Sequence, residues 1–174
     1  MRDSFWPEAD DVIFREGFHA ATTAELGWFG MGTQTAYADG FMAAADQLIE
    51  NIEQGLLNRH PDEIFYAIAF LYRHSVETRL KQIIAAASYH LAGSADIRMG
   101  HDLSGLWHRA RKLLTEARED AKGMPLERAG KLILEFHRLD RRSTALRMPL
   151  PPRGNTMNWR GFRETSTSSI YGTS

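Results

Sequence analysis

Cysteine is absent from this 174-residue chain, which excludes disulfide frameworks, thiolate metal sites and cysteine nucleophiles together. No apolar run approaches the roughly 20 residues that a membrane-spanning helix needs. The opening Met1-Arg2-Asp3-Ser4-Phe5-Trp6-Pro7-Glu8 lacks the basic-then-apolar layout of a secretory leader. A cytoplasmic protein with no membrane partner is therefore expected. Phosphate-cradling loops are missing too, because Gly30-Met31-Gly32 follows no strand pattern and its glycine spacing is wrong. Ser75 and Ser104 have no Gly-x-Ser-x-Gly elbow around them. His74, His101, His108 and His137 form no His-Glu-x-x-His and no pair at three or four residues. No metal and no cofactor is expected.

What is present suits one globular domain: 43% of residues are hydrophobic and 25% charged. The formal net charge of -1 hides an asymmetry. Residues 1–100 carry 7 basic and 14 acidic side chains, and residues 101–174 carry 14 and 8. The basic half either neutralises the acidic half of the fold or of a second subunit, or meets phosphate.

Periodicity predicts an all-α protein. Tyr37, Phe41, Ala44, Leu48, Ile52 and Leu56 recur at helical spacing over 33–57, with Asp39, Asp46, Glu50 and Glu53 on the other flank. Asn58-Arg59-His60-Pro61 breaks the pattern, and Asp62 is the expected cap of a long helix to Leu91. Its core candidates are Ile64, Ile68, Leu71, Ile83, Ile84 and Ala87. A third helix spans 102–121, with Leu103, Leu106, Trp107, Ala110, Leu113, Leu114 and Ala117. A fourth spans 125–140, with Leu126, Ala129, Ile133, Phe136 and Leu139. No segment alternates with period two as a hairpin would. Apolar stripes on four helices leave little room for a large ligand cavity, so a site must lie in a groove between helices or at a subunit boundary.

The ends differ in kind. Residues 1–32 hold Phe5, Trp6, Phe14, Phe18, Trp28 and Phe29 and read as an aromatic arm, packed on the bundle or across a dimer. Residues 149–174 form a Pro/Ser/Thr-rich tail, expected to be partly disordered because it has little apolar surface to bury.

One polar constellation stands out. Arg73, Glu77 and Lys81 follow one another at i, i+4 within an otherwise apolar helix, and His101-Asp102 opens the next. The first set reads as a solvated salt-bridge ladder, or as part of a cleft in which His101 transfers protons. Asp102 reads as a helix cap or as a site residue. Arg138, Asp140, Arg141, Arg142 and Arg147 make the strongest basic patch, suited to helix-end carbonyls or to bidentate phosphate binding.

These residues also carry a resemblance. Tyr72-Arg73-His74-Ser75-Val76-Glu77-Thr78-Arg79-Leu80-Lys81 resembles the Arg-His-x-(Ile/Val)-Glu-x-x-Leu-Lys helix of bacterial HEPN-like proteins. Gly100-His101-Asp102-Leu103 with Leu106-Trp107 is similar to their Gly-His-Asp-Leu-x-x-Leu-Trp element. Leu139-Asp140-Arg141-Arg142-Ser143 with Leu146-Arg147-Met148-Pro149 is similar to their Asp-x-x-Ser and Phe-Arg-Tyr-Pro segments, Leu146 and Met148 replacing the aromatics.

The resemblance implies an antiparallel bundle of four to five helices over residues 33–148. It implies dimerisation, and a place in defence, toxin–antitoxin or RNA-processing systems. Active members of that superfamily carry Arg-x(4–6)-His, and no arginine here lies five to seven positions before a histidine. Two functions are then expected to compete. One is a non-catalytic dimeric module binding a nucleotide, RNA or a partner protein, with Lys81, Asp102, Arg141 and Arg142 among its binding residues. The other is a divergent metal-independent ribonuclease using His101, Arg73, Glu77 and Arg147.

Overall fold

The computed structural model describes residues 33–95, 99–117, 124–141, 143 and 146. The expected aromatic arm, the Pro/Ser/Thr-rich tail, Arg142 and Arg147 lie outside the described residues. Four helices form, α1 (Thr33–Glu53), α2 (Pro61–Ala92), α3 (Leu103–Ala117) and α4 (Met124–Leu139), with no strand among the described residues. None of these helices is long and apolar enough to cross a membrane.

The helix ends follow local chemistry. α1 stops at Glu53, four residues before the expected Leu57. Gly55 takes the left-handed φ of 68°, and Leu56 N–H turns back to the Asn51 carbonyl at 2.8 Å, a glycine-terminated cap. The cap of α2 is His60, not Asp62: its ring nitrogen accepts from Asp62 N–H. Pro61, which has no N–H to satisfy, takes the first helical position. Gly93 (φ 69°) closes α2 with its N–H on the Tyr89 carbonyl.

α1 and α2 run antiparallel, as three contacts fix. Tyr72 Oη donates to Asp46, Arg79 pairs with Asp39, and Ser75 Oγ donates to the Ala38 carbonyl at 2.7 Å. The buried stripe of α1 is Ala38, Ala45 and Ile49, all fully buried. It lies beside the stripe expected from hydropathy, so Tyr37 and Leu56 are exposed. Alanines on the buried side let the two backbones approach, and their small apolar area gives hydropathy little to register.

Two apolar clusters result. Ala45 and Ile49 pack with Ile68 and Tyr72 at one end of α2. Leu80 and Ile84 at the other end pack with Leu103, Leu106, Trp107, Ala110 and Ile133. Phe136 packs against both. Ile64, Leu71 and Ile83, expected in the core, are half-buried.

α3 and α4 are antiparallel, since Asp102 meets His137 while Gly130 lies under Trp107. A Cβ at Gly130 would stand 2.8 Å from the indole nitrogen, so only glycine permits this approach. The arrangement brings the start of α3 and the end of α4 to the middle of α2.

Candidate functional site

The stretch of α2 between its two apolar clusters is polar and sealed. Arg73 and Glu77 each keep only 2% of their side chains exposed, so the solvated-ladder expectation fails for both. A buried pair of this kind needs hydrogen-bond and ion-pair partners, and the fold supplies them from three elements. Of the Arg73 guanidinium nitrogens only Nε lacks a hydrogen bond among the described residues. Arg73 Nη1 donates to Glu77 Oε2 and Ser143 Oγ, both at 2.9 Å. Nη2 donates to the His101 carbonyl at 2.9 Å. Nε lies 3.6 Å from Asp140 Oδ2, an ion-pair distance longer than a hydrogen bond. Asp140 itself is buried.

Glu77 is the second hub. Its Oε1 accepts from Lys81 Nζ and meets His101 Nδ1, each at 2.7 Å. Burial alone would push the Glu77 carboxyl up. Hydrogen bonds from Lys81, His101 and Arg73 outweigh that burial and hold it below the ordinary carboxylate value. An ionised carboxylate only accepts, so the Nδ1 of His101 carries the proton and a neutral ring keeps Nε2 as an acceptor. The His101 side chain is 63% exposed and that of Lys81 is 25% exposed.

Asp102 caps α3. Its two oxygens accept from Ser104 N–H at 3.2 Å and Gly105 N–H at 3.1 Å. Gly105 is needed for this, because a Cβ there would lie 2.9 Å from Asp102 Oδ2. His137 Nδ1 stands 3.0 Å from Asp102 Oδ1, near enough to pair as ions though not aligned as a hydrogen bond.

The structure thus gathers Arg73, Glu77, Lys81 and His101 in one place and sets Asp102 beside them as a cap. Arg141 is exposed, next to the inward Asp140. Among the described residues no three histidine, aspartate or glutamate side chains cluster as metal ligands would.

Asp140 and Ser143 were missed as partners of Arg73. Charge counting placed Asp140 in a basic patch, although the Asp-x-x-Ser spacing was the available sign. Ser143 is also the one non-glycine residue with positive φ, 58°, among the described residues. Its backbone is held in the left-handed region while its hydroxyl serves Arg73.

A second feature adjoins the network through Lys81. A shallow depression of about 260 Å³ is lined by Tyr37, His74, Thr78 and Lys81. His74 forms its wall, edge-on to Phe41 at 4.5 Å and stacked on Phe70 at 5.8 Å.

Chemically, the site offers an imidazole oriented by a carboxylate, a partly exposed ammonium and an enclosed guanidinium. The chain matches no protein-family model, no curated protein and no solved structure.

Proposed function

We propose that this chain is a non-catalytic, HEPN-like helical module that binds a nucleotide or RNA, as a homodimer in a defence or toxin–antitoxin setting. The observation that carries the non-catalytic part is the enclosure of Arg73. A ribonuclease needs a cation on the phosphoryl oxygens where charge develops. Arg73 is 2% exposed, with its guanidinium turned onto Glu77, His101, Ser143 and Asp140. It braces three elements and offers nothing to a substrate, which removes Arg73 from the set that the nuclease reading would use. Of the two groups that do reach the surface, Lys81 is a hydrogen-bond donor suited to a phosphate, while His101 gives its Nδ1 proton to Glu77 and presents Nε2.

A second reading has one observation behind it. An imidazole held by Glu77 through Nδ1, with its side chain exposed, has the form of a general base. In that reading the chain is a metal-independent ribonuclease with His101 as the proton-transfer group.

The test is incubation of the purified protein with single-stranded and structured RNA, with and without chelator, following binding by fluorescence anisotropy and integrity on gels. Binding without cleavage is expected. Cleavage that disappears in a folded His101→Ala variant would overturn the first reading in favour of the second. Sedimentation velocity tests the dimer separately, and a monomer at all concentrations would remove that part.

A further inference from the structure

We propose that the depression lined by Tyr37, His74, Thr78 and Lys81 is a subsite for one nucleoside monophosphate unit. Lys81 and Thr78 take the phosphate and the Tyr37 ring takes the base. The inference rests on the reading of the chain as a nucleotide- or RNA-binding module and gives that reading a location.

The placement follows from register. His74, Thr78 and Lys81 stand at i, i+4 and i+7, one face of α2. The Ser75–Ala38 and Arg79–Asp39 contacts hold the first turns of α1 against that face, so Tyr37 joins the same depression. Tyr37 is 47% exposed. It continues an aromatic row in which Tyr37 and Phe41 centroids are 6.5 Å apart and Phe41 meets His74.

The polar end has unused capacity. Among the described residues Lys81 makes one hydrogen bond, to Glu77. An ammonium carries three donors, so two remain for an incoming anion. The Thr78 hydroxyl, half-buried in the same wall, makes no hydrogen bond among the described residues. Behind Lys81, the Glu77 carboxylate is also paired with Arg73 and in contact with His101. A cation and a hydroxyl beside an exposed aromatic ring suit a phosphate carrying a planar base.

The experiment is calorimetry and amide-resolved NMR on the full chain with adenosine 5′-monophosphate, adenosine and inorganic phosphate. The monophosphate should bind and shift resonances of Tyr37, Thr78 and Lys81, with adenosine and phosphate each roughly tenfold weaker or more, because each keeps only part of the contacts. Tyr37→Ala should weaken the monophosphate roughly tenfold while leaving inorganic phosphate unchanged. Thr78→Val, nearly isosteric, should weaken both ligands.

Lys81→Gln also removes a bond to Glu77, so the two variants outside the network carry the test. Absence of monophosphate binding, or affinity unchanged in both Tyr37→Ala and Thr78→Val, overturns the subsite. RNA binding that survives both variants overturns the subsite and leaves the binding module standing. RNA cleavage lost in His101→Ala overturns the non-catalytic module and leaves the subsite standing.

Discussion

Replacing Arg73 with methionine roughly keeps side-chain length and removes a cation that joins α2 to the start of α3 and the end of α4. Three hydrogen bonds at 2.9 Å disappear, along with the 3.6 Å ion pair to Asp140. Glu77 retains Lys81 and His101, but the buried Asp140 carboxylate loses its arginine partner. Removing one member of a buried ion network costs about 3–5 kcal/mol, a large share of the roughly 5–15 kcal/mol that stabilises a typical domain. With a urea m-value near 2 kcal/mol/M, the unfolding midpoint should fall by roughly 1.5–2.5 M.

The assay is equilibrium urea unfolding of Arg73→Met, Glu77→Gln and the double variant, followed by circular dichroism. The two single effects should fail to add, with a coupling of about 0.5–3 kcal/mol. A loss below about 1 kcal/mol with full additivity is what a surface i, i+4 pair gives. That result would refute the enclosure on which the non-catalytic reading depends.

Three further outcomes are expected. Gly130→Ala should lower stability by about 1–2 kcal/mol, overpacking against the Trp107 ring 2.8 Å away exceeding the gain in helix propensity; a raised melting temperature would contradict the contact. Ser143→Ala and Ser143→Gly both lose the bond to Arg73, but only glycine relaxes the 58° φ. Glycine should therefore be the more stable of the two by about 1 kcal/mol in denaturant titrations, and equal stabilities would remove the strain.

The third concerns acid. The folded Glu77 carboxyl is held below its unfolded value of 4.5. Its contribution is then complete above about pH 4.5 and is lost as pH falls through the folded pKa. Unfolding free energy measured against pH should have a shallower acid limb in Glu77→Gln. An unchanged slope would show that Glu77 is not stabilised as a carboxylate.

The helices were legible where apolar side chains are large. Leu103, Leu106, Trp107 and Ala110 were expected in the core and are buried there. α1 was harder to orient because its buried residues include Ala38 and Ala45, whose side chains carry far less apolar area than those of the neighbouring Tyr37 and Phe41. α2 misled in a different way. It buries residues toward α1 at one end and toward α3 and α4 at the other, so no single stripe describes it. Arg73, Glu77 and Lys81 were visible as one helix face and His101 as the opening of the next helix, but spacing left open whether the two elements meet. The burial of Arg73 and Glu77 was not visible, because a buried ion pair and a surface ladder share the same i, i+4 spacing. Distinguishing them requires the long-range partners, and Asp140 and Ser143 become partners only once α4 has returned to α2.

Those partners also govern when the network can exist. Of the groups around Arg73, only Glu77 is local; the His101 carbonyl and Ser143 lie 28 and 70 residues away in sequence. Until the start of α3 and the end of α4 have docked, Arg73 and Glu77 are an ordinary solvated pair on a partly formed helix. The full set of bonds is expected to close after the folding barrier, so Arg73→Met should raise the unfolding rate and leave the folding rate nearly unchanged in chevron kinetics; a slowed folding rate would refute that order. With that order, the sealed arginine is a latch on a finished structure, lengthening the lifetime of the native state without hastening its arrival.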